Sequence, residues 1–356
     1  MRVLVTGGAG FIGSAYVRNV LATHPGDEVV VLDALTYAGN IANLAELGGD
    51  PRLRFVEGDI ADADAVDPLV AGSDAVVNFA AETHVDRSLL DPAAFARANV
   101  VGVLTLLDAV HRHGKRLLQV STDEVYGDVP PGRHSVEDDP LLPRSPYAAA
   151  KAGGELMCRA YRISYGVEVV VTRGCNTIGP RQYPEKMIPL FVTNALDDLP
   201  LPVYGDGLQV RDWLHADDHA AAVDLVLRQG RAGETYNVGA GHERPNIEVV
   251  RAILARLGKP ESLVAYVPDR PGHDRRYALD PTKIREELGW APARDFAQTL
   301  TDTVDWYVAH PEWWRPIRDH DPRFRDYYQR QYAWRFAKAN PLGEDAVEPS
   351  FAKRSD

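Results

Sequence analysis

The feature that most constrains the fold is a glycine-rich segment near the start of the chain, Gly8-Ala9-Gly10-Phe11-Ile12-Gly13. It follows a β-branched run at 2–6 and precedes an apolar helical pattern, which is the order of a dinucleotide-binding turn. Glycines there let the backbone turn tightly and bring a helix N-terminus against a pyrophosphate. Asp33 ends the next β-branched run, where a carboxylate binds a ribose 2′-hydroxyl and repels a 2′-phosphate. The sequence therefore predicts an NAD site and disfavours NADP.

Short β-branched runs alternate with helical patterns through the first half of the chain. These runs lie at 2–6, 28–32, 54–57, 75–79, 117–121 and 168–172. Strands that are apolar on both faces indicate a parallel sheet covered by helices on each side. We therefore predict an α/β protein with a Rossmann-type doubly wound parallel sheet and a smaller C-terminal α/β substrate-binding lobe.

Beyond residue 173 the pattern changes to proline-punctuated segments interleaved with helices predicted at 217–228 and 247–257. We expect an NAD-binding domain at 1–175, to which segments at about 203–240 return, and a substrate lobe formed mainly by 176–320. Residues 321–356 are predicted to form a C-terminal helix and a frayed tail. The aromatic and basic run at 323–338 indicates a helix that covers the second lobe or contacts another subunit.

The charge balance excludes some classes of partner. The chain carries 39 Lys plus Arg against 51 Asp plus Glu, a formal net charge of -12. This balance argues against nucleic acid or an anionic membrane as the main partner. Two cysteines without a C-x-x-C pair, and an opening without a signal-peptide pattern, predict a cytoplasmic protein. His215 and His219 lack the glutamate of an H-E-x-x-H zinc motif, so no metal is expected.

Tyr147 and Lys151 are four residues apart, on one face of a predicted helix. An ammonium group beside a phenol favours the phenolate, so we expect Lys151 to lower the pKa of Tyr147 toward the range of a general base. With Thr122 at the end of the fifth run, these residues form the Ser/Thr-Tyr-Lys arrangement that removes a proton from an alcohol while hydride leaves for nicotinamide.

Two carboxylates, Asp123 and Glu124, directly follow Thr122. One interpretation is a helix N-cap with acidic residues in its first turn. The other is an acid and a base that remove water from an oxidised substrate, since simple alcohol oxidation needs neither carboxylate. The spacing leaves both interpretations open.

Further motifs lie at 7–13, 33–40, 80–88, 121–127, 145–151, 183–186, 204–207, 210–213 and 269–277. On these segments the chain, from residue 1 to about 310, resembles the extended short-chain dehydrogenase/reductase superfamily and within it the dTDP-glucose 4,6-dehydratases. The narrowest matches are Thr122-Asp123-Glu124 and the segment Pro271-Gly272-His273. Two positions depart from the pattern, since Thr177 replaces an asparagine and Ala98 a threonine on the cofactor side.

The resemblance implies NAD-dependent conversion of dTDP-glucose to dTDP-4-keto-6-deoxyglucose, a lyase reaction of deoxysugar biosynthesis such as rhamnose formation. Tyr147 would deprotonate the glucose 4-hydroxyl while hydride leaves C4, and Thr122 would hydrogen-bond the 4-oxygen. Glu124 would remove the C5 proton and Asp123 would protonate the departing 6-hydroxyl, before hydride returns to C6. Two carboxylates are needed because one proton is taken while another is given.

The resemblance also implies the ligand-binding residues. The expected NAD contacts are Gly7, Gly10, Phe11, Ile12, Gly13, Asp33, Ala34, Leu35, Thr36, Asp59, Ile60, Phe79, Ala80, Ala81, Thr83, Tyr147 and Lys151. The expected contacts of the sugar nucleotide are Thr83, His84, Thr122, Asn176, Lys186, Met187, Pro202, Val203, Tyr204, Arg211, Asn246, Asp269, Arg270, Pro271, Gly272, His273 and Tyr277. The planar forks of Arg211 and Arg270 suit a pyrophosphate. A homodimer is expected through the helix near 100–113 and the helix that carries Tyr147.

Several alternatives share the scaffold. A sugar-nucleotide 4-epimerase or decarboxylase, or a UDP-sugar 4,6-dehydratase, would retain the glycine turn, Asp33 and the Tyr147/Lys151 pair. Asp123 and Glu124 favour a dehydratase, because an epimerase needs no pair that eliminates water. A non-catalytic NAD-binding protein is disfavoured because the whole acid/base set is present.

Overall fold

The computed structural model describes residues 1–339 of the 356-residue chain. Its strands are β1 (Arg2–Thr6), β2 (Glu28–Asp33), β3 (Leu53–Glu57), β4 (Ala75–Asn78), β5 (Arg116–Thr122), β6 (Val169–Gly174), β7 (Asn176–Ile178), β8 (Leu201–Tyr204), β9 (Val210–Arg211), β10 (Trp213–His215), β11 (Thr235–Val238), β12 (Arg244–Pro245) and β13 (Val264–Val267). Its helices are α1 (Phe11–Thr23), α2 (Ala63–Ala71), α3 (Val85–Leu90), α4 (Pro92–Ala96), α5 (Gly102–His113), α6 (Pro146–Tyr165), α7 (Met187–Leu196), α8 (Ala216–Gln229), α9 (Asn246–Leu257), α10 (Thr282–Leu288), α11 (Phe296–Ala309), α12 (Pro311–Arg315) and α13 (Pro322–Ala339).

Seven strands form one parallel sheet in the order β11-β6-β5-β4-β1-β2-β3. The six strands predicted from the β-branched runs are all present, with ends that differ from the prediction by one or two residues. The strand order reverses beside β1, since the chain winds outward to β3 on one side and to β4 on the other. Such a reversal opens a crevice at the carboxyl ends of the strands. The predicted doubly wound α/β fold is confirmed.

The turn between β1 and α1 depends on two glycines that have no room for a side chain. A Cβ at Gly13 would lie 2.2 Å from the carbonyl oxygen of Gly7, and Gly7 itself has a φ of +70°. The carboxylate of Asp33, at the end of β2, accepts a hydrogen bond of 2.9 Å from the Ala9 amide within the same turn. The N-terminus of α1 is therefore held against the carboxyl edge of the sheet.

Alternate residues of each central strand pack on opposite faces of the sheet, as expected for strands buried on both sides. Val3 and Val5 of β1 belong to a core shared with α1 and α8, whereas Leu4 packs into a second core with α2 and α5. A third core lies in the second lobe, among α7, α9, α11 and α13, and it includes Val203 and Trp213. These three cores thus stabilise two lobes, which flank the crevice.

The proposed domain boundaries remain a prediction, but strand pairing and packing indicate which later segments lie with the sheet and which with the second lobe. Helix α8 packs on α1, and strand β11 completes the edge of the seven-stranded sheet. Strand β8, by contrast, pairs with β13, and its Val203 belongs to the second lobe. Helix α13 occupies 322–339, and the predicted frayed tail lies from residue 340 onward, outside the described residues.

One helical stretch among residues 1–339, Pro92–His113, is long and apolar enough to cross a membrane by length and composition alone. Of the apolar 18-residue window within this stretch, 44% is buried, and α5 packs against α2 and α6. The apolar side chains Val103, Leu106 and Leu107 face the core beneath the sheet. The apolar character of this stretch is therefore explained in part by its place in the core.

Candidate active site

A cavity of about 420 Å³ opens where the sheet order reverses, above the carboxyl ends of the central strands. It is lined by sixteen of the seventeen residues expected to contact NAD: Gly7, Gly10, Phe11, Ile12, Gly13, Asp33, Ala34, Thr36, Asp59, Ile60, Phe79, Ala80, Ala81, Thr83, Tyr147 and Lys151. Leu35 does not line it, and its side chain packs instead against the core on the α1 face of the sheet.

The geometry at the end of β2 fits a dinucleotide. Asp33 is 7% exposed and lies within the cavity wall, and its carboxylate accepts hydrogen bonds from the Ala9 and Leu35 amides. Burial raises the pKa of Asp33, while the backbone amides that it accepts from oppose the rise. The glycine turn, which excludes side chains, lies beside this carboxylate. The site can therefore hold a pyrophosphate at α1 and a ribose at Asp33.

Strand β5 and helix α6 bring the three predicted proton-transfer residues together. Thr122 ends β5, and the side chain of Tyr147 on the first turn of α6 is buried beside it. Ser145 caps α6, since its side chain accepts a hydrogen bond from the Ala148 amide. Lys151 lies one turn beyond Tyr147 and donates a hydrogen bond of 2.7 Å to the Val120 carbonyl. The Ser/Thr-Tyr-Lys arrangement is therefore assembled in one wall of the cavity.

The expected effect of Lys151 on Tyr147 is wrong for this arrangement. Burial raises the pKa of Tyr147, and the negative charge of Glu124 adds to the rise. The hydrogen bond with Thr122 is the influence that lowers it. Burial also lowers the pKa of Lys151 to about 8, and its ammonium group is directed to a backbone carbonyl. The sequence spacing correctly predicted that Tyr147 and Lys151 lie on one face of a helix, but it carries no information about how deeply either side chain is buried.

The Thr122-Asp123-Glu124 segment forms the expected cap, and it also buries a carboxylate that the cap does not use. The Thr122 hydroxyl caps a short 3-10 turn, Asp123–Tyr126, by accepting a hydrogen bond of 3.3 Å from the Glu124 amide. The same hydroxyl donates to the Asp123 carboxylate over 3.1 Å. Asp123 is only 3% exposed, and its second carboxylate oxygen has no hydrogen-bond partner. A cap alone would leave this buried carboxylate unexplained.

The two adjacent carboxylates have different electrostatic surroundings. Burial raises the pKa of Asp123 to about 8, and the charge of Glu124 adds to the rise. Burial raises the pKa of Glu124 as well, but three neighbouring cations oppose it. Those cations are Arg270, Arg211 and Lys186. Environments that separate two titratable groups in this way suit one to give a proton and the other to take one.

A second cavity of about 160 Å³ adjoins the first on the side of the second lobe. Thr83, Glu124, Asn176, Glu185 and Lys186 line both cavities, so Glu124 lies at their junction, whereas Asp123 lines the first cavity alone. Twelve of the residues expected to contact the sugar nucleotide line the second cavity: Thr83, His84, Asn176, Lys186, Met187, Pro202, Val203, Tyr204, Arg211, Asn246, Arg270 and His273.

Five expected substrate contacts lie outside the second cavity: Thr122, Asp269, Pro271, Gly272 and Tyr277. Thr122 lines the first cavity, and Tyr277 donates hydrogen bonds to Asp274 over 2.7 Å and to Glu124 over 3.3 Å. Asp269 accepts hydrogen bonds from Gln209 and from the Arg270 amide, and it contacts His273. Tyr277 and Asp269 thus contact residues that line the cavities, whereas Thr122 lines the first cavity itself.

The cations at the second cavity already have protein partners. Arg211 donates to the carbonyls of Val210 and Asp274, and its guanidinium lies 4.0 Å above the Tyr277 ring. Lys186 donates to the Thr83 carbonyl over 2.7 Å. Arg270 is 3.9 Å from Asp86, and its Nε atom is buried without a hydrogen-bond partner. Of these three cations, Arg270 therefore has a donor, its Nε–H group, that forms no hydrogen bond within residues 1–339.

The structure adds site residues that were not among the expected ligand contacts. Glu82 and Cys175 line the first cavity, while Asp86, Phe191 and Tyr332 line the second. Tyr332 comes from the C-terminal helix, which was predicted to cover the second lobe or to contact another subunit. The spacing of Tyr328, Gln331, Tyr332 and Arg335, all buried on α13, is the sequence feature that could have indicated a face turned toward the site.

The two positions that depart from the family pattern, Thr177 and Ala98, both line the first cavity. The Thr177 hydroxyl lies 2.8 Å from the His219 ring, and both residues line the first cavity. Ala98 lines the same cavity. His215 accepts instead from the Asp217 amide, so the two histidines have separate partners. Within residues 1–339 no group of three or more potential metal ligands occurs.

Comparison with known proteins gives the same architecture and sequence pattern. The family model described as GDP-mannose 4,6 dehydratase matches residues 4–303. A dTDP-glucose 4,6-dehydratase from Streptomyces niveus is 53% identical over 326 residues, which cover 90% of this chain and 97% of that protein.

Two solved structures show how far the likeness extends. The dTDP-glucose 4,6-dehydratase DesIV from Streptomyces venezuelae, with NAD and dTDP bound, is 54% identical with a TM-score of 0.87 over 89% of this chain and all of its own. A Thermus thermophilus UDP-glucose 4-epimerase with NAD is 37% identical with a TM-score of 0.80, covering 86% of this chain and 99% of its own. The chain belongs to the dTDP-glucose 4,6-dehydratase family within the extended short-chain dehydrogenase/reductases.

Proposed function

We propose that the chain is an NAD-dependent lyase that converts dTDP-glucose to dTDP-4-keto-6-deoxyglucose in deoxysugar biosynthesis. The observation that carries the proposal is the Asp123/Glu124 pair, which lines the larger cavity together with Tyr147; Asp123 is buried, and Glu124 lies at the junction of the two cavities. A 4-epimerase also needs NAD and Tyr147, but it has no use for two carboxylates of different basicity. The sequence identity with curated dTDP-glucose 4,6-dehydratases supports the same choice.

NAD would be held in the larger cavity by Asp33, at its ribose, and by the amides of the β1–α1 turn, at its pyrophosphate. When bound, NAD supplies reversible acceptance of a hydride. The lack of a basic side chain next to Asp33 favours NAD over its 2′-phosphorylated form. The residues present therefore fit the cofactor that the related structures contain.

The first step uses the wall formed by β5 and α6. Tyr147 would take the proton of the glucose 4-hydroxyl while the C4 hydrogen leaves as hydride, and Thr122 would hold the 4-oxygen. Burial raises the pKa of Tyr147 and so opposes its ionisation in the free protein. During the reaction, positive charge beside the phenol would have to favour the phenolate, and Lys151 on the same helix face and the oxidised nicotinamide would supply that charge. The product of this step is a 4-keto sugar with an acidified C5 proton.

The second step uses the carboxylate pair. Glu124, which three cations keep nearer its ionised form, would remove the C5 proton. Asp123, whose raised pKa keeps it protonated at neutral pH, would donate a proton to the 6-hydroxyl. The C6–O bond then breaks and water leaves, forming a C5–C6 double bond. Hydride return to C6 and a proton to C5 complete the 4-keto-6-deoxy sugar.

The nucleotide would lie in the smaller cavity. Arg270 and Arg211 would face its diphosphate, because a guanidinium fork can donate two hydrogen bonds to paired phosphate oxygens. Beyond these arginines the lining becomes apolar and aromatic, with Phe191, Val203 and Tyr204. Such a lining suits the flat face of a thymine base and its methyl group. The negatively charged protein would thus bind a negative substrate through a local cluster of cations.

We further propose that the protein is a homodimer through α5 and α6. Leu156, Met157 and Ile163 of α6 are 54%, 37% and 71% exposed, and Val101 just before α5 is 46% exposed. These apolar side chains recur at helical spacing on one side of the molecule. An exposed stripe of this kind marks a protein interface. A second copy of the same pair of helices would bury it.

A cytoplasmic location is also proposed. Cys158 and Cys175 are both buried and free of disulfides. Burial raises the pKa of each thiol, so both stay protonated and unreactive at neutral pH. A protein that keeps its cysteines reduced suits the cytoplasm.

Turnover of dTDP-glucose tests the proposed function directly. Purified protein incubated with dTDP-glucose, with NAD added, should yield a product lighter by one water, measured by mass spectrometry. UDP-glucose should react more slowly, since it lacks the thymine methyl group, worth about 10- to 200-fold in an apolar pocket, and also carries a ribose 2′-hydroxyl that dTDP-glucose lacks. Products of unchanged mass would indicate an epimerase, and no reaction with either substrate would refute the proposal.

Glu124→Gln should abolish proton removal from C5 while leaving substrate binding intact. We expect kcat to fall by about 10²- to 10⁴-fold, because a general base is lost. Exchange of the C5 hydrogen with deuterium from solvent, followed by NMR, should fall by the same factor. The matched control is Glu168→Gln, whose carboxylate is 63% exposed, and it should behave as wild type. Wild-type exchange in Glu124→Gln would assign the base to another residue.

The pKa of Asp123 predicts a pH dependence of turnover. Because Asp123 has to carry a proton to act as the acid, kcat should decline as the pH rises through about 8. Asp123→Asn should lower kcat by about 10²- to 10⁴-fold and remove this decline. A wild-type profile that stays flat to pH 9 would contradict the role of Asp123.

A stability measurement separates the pKa of Asp123 from its role in catalysis. The folded carboxyl keeps its proton up to about pH 8, whereas the unfolded one loses it near pH 3.9. Raising the pH between these values therefore favours the unfolded state. Asp123→Asn should raise the midpoint of thermal unfolding more at pH 8 than at pH 4, and the control Asp74→Asn should not.

Disruption of the α6 stripe tests the dimer. Leu156→Glu should convert the protein to a monomer, because it places a charge in the centre of the proposed interface. Leu208→Glu, at a leucine that is 46% exposed elsewhere on the surface, should leave the mass unchanged. Sedimentation velocity measures both. A monomeric wild type, or a dimer that survives Leu156→Glu, would refute the proposed interface.

A further inference from the structure

Helix α13 lies outside the part of the chain that the family model describes. That model ends at residue 303, whereas α13 covers Pro322–Ala339. The helix nevertheless lies over both cavities. Near its start, Arg323 donates to the Thr36 carbonyl over 3.3 Å, and Thr36 lines the larger cavity. Near its end, Tyr332 lines the smaller cavity.

Gln331 of α13 contacts a residue that lines the smaller cavity, Tyr204. The Gln331 side chain is 5% exposed, and its amide donates a hydrogen bond of 2.6 Å to the Tyr204 hydroxyl. The Tyr204 hydroxyl in turn donates to the Asp86 carboxylate over 3.3 Å. Asp86 is 3.9 Å from the Arg270 guanidinium. A chain of polar contacts thus runs from α13 to the arginine that faces the second cavity.

Two more side chains of α13 fix the position of the Tyr204 ring. Tyr332 packs with its ring centroid 6.3 Å from that of Tyr204. The Arg335 guanidinium lies 4.9 Å from the same ring and donates to the Pro268 carbonyl. Tyr204 is therefore held on its hydroxyl by Gln331 and on its ring by Tyr332 and Arg335. Three side chains on one face of α13 thus contact Tyr204.

We propose that Gln331 and Tyr332 of α13 determine the affinity of this protein for the nucleoside end of its substrate. Gln331 is a positioning residue that acts through Tyr204, and Tyr332 forms part of the wall against the base. The ligand class is a pyrimidine nucleoside diphosphate, because the cavity joins cations to an aromatic lining. The inference rests on the proposed function, since it assumes that a nucleoside diphosphate occupies this cavity.

Binding of dTDP to the full-length protein, measured by isothermal titration calorimetry, tests the inference without turnover. Gln331→Leu should weaken dTDP binding by about 3- to 10-fold, as expected for one lost hydrogen bond. Tyr332→Leu should weaken it by about 10-fold, since an aromatic contact is lost. With dTDP-glucose as substrate, KM should rise by the same factors while kcat stays within about twofold.

Matched variants on the same helix separate this role from the docking of α13. Gln329 is exposed and Phe324 is buried in the second-lobe core, and neither lines the smaller cavity. Gln329→Leu and Phe324→Leu should therefore bind dTDP as wild type does. In a Tyr204→Phe background, Gln331→Leu should cause no further loss, because its partner hydroxyl is already absent.

Several results would overturn the inference. Wild-type affinity for dTDP in both Gln331→Leu and Tyr332→Leu would do so, as would an equal loss in Phe324→Leu. Full additivity of Gln331→Leu and Tyr204→Phe would refute the route through Tyr204. If the variants bind dTDP more weakly but the wild type does not react with dTDP-glucose, only the dehydratase proposal is refuted.

Discussion

The approach of the first turn of α1 to the end of β1 is the constraint on which the rest of the molecule depends. Because Gly13 lies against the Gly7 carbonyl, α1 begins directly at the edge of the sheet. Asp33 ties the same turn to β2 through the Ala9 amide. The reversal of strand order beside β1 then leaves a crevice that no side chain of the turn can fill. Cofactor and reacting groups share that crevice.

Burial of charge gives the site its chemistry. Asp123 and Glu124 are neighbours in sequence, yet only Glu124 lines the cavity that contains Arg270 and Arg211. Asp123 faces a drier environment and keeps its proton. The hydroxyl of Thr122 caps the 3-10 turn that begins with these two residues. The same short turn would thus hold both the proposed acid and the proposed base.

Much of this organisation could be predicted from local sequence. The β-branched runs predicted six strands, most of which are buried on both faces, and the glycine turn with Asp33 predicted residues that line the larger cavity. The pKa of Tyr147 could not be predicted, since it depends on burial that spacing does not report. Tyr332 was missed for another reason: it meets Tyr204 across more than a hundred residues, which no local pattern encodes.

The interleaving of the two lobes along the chain has a consequence for synthesis. The sheet is complete only when β11, at 235–238, has been made, although most of the second-lobe core is still to come. That core draws on residues from Ile178 to Tyr332. A growing polypeptide on the ribosome can thus form its cofactor layer while the apolar faces of α7 and α9 still await their partners. Until the last helix emerges, those faces are the part of the nascent chain most open to aggregation or to a chaperone.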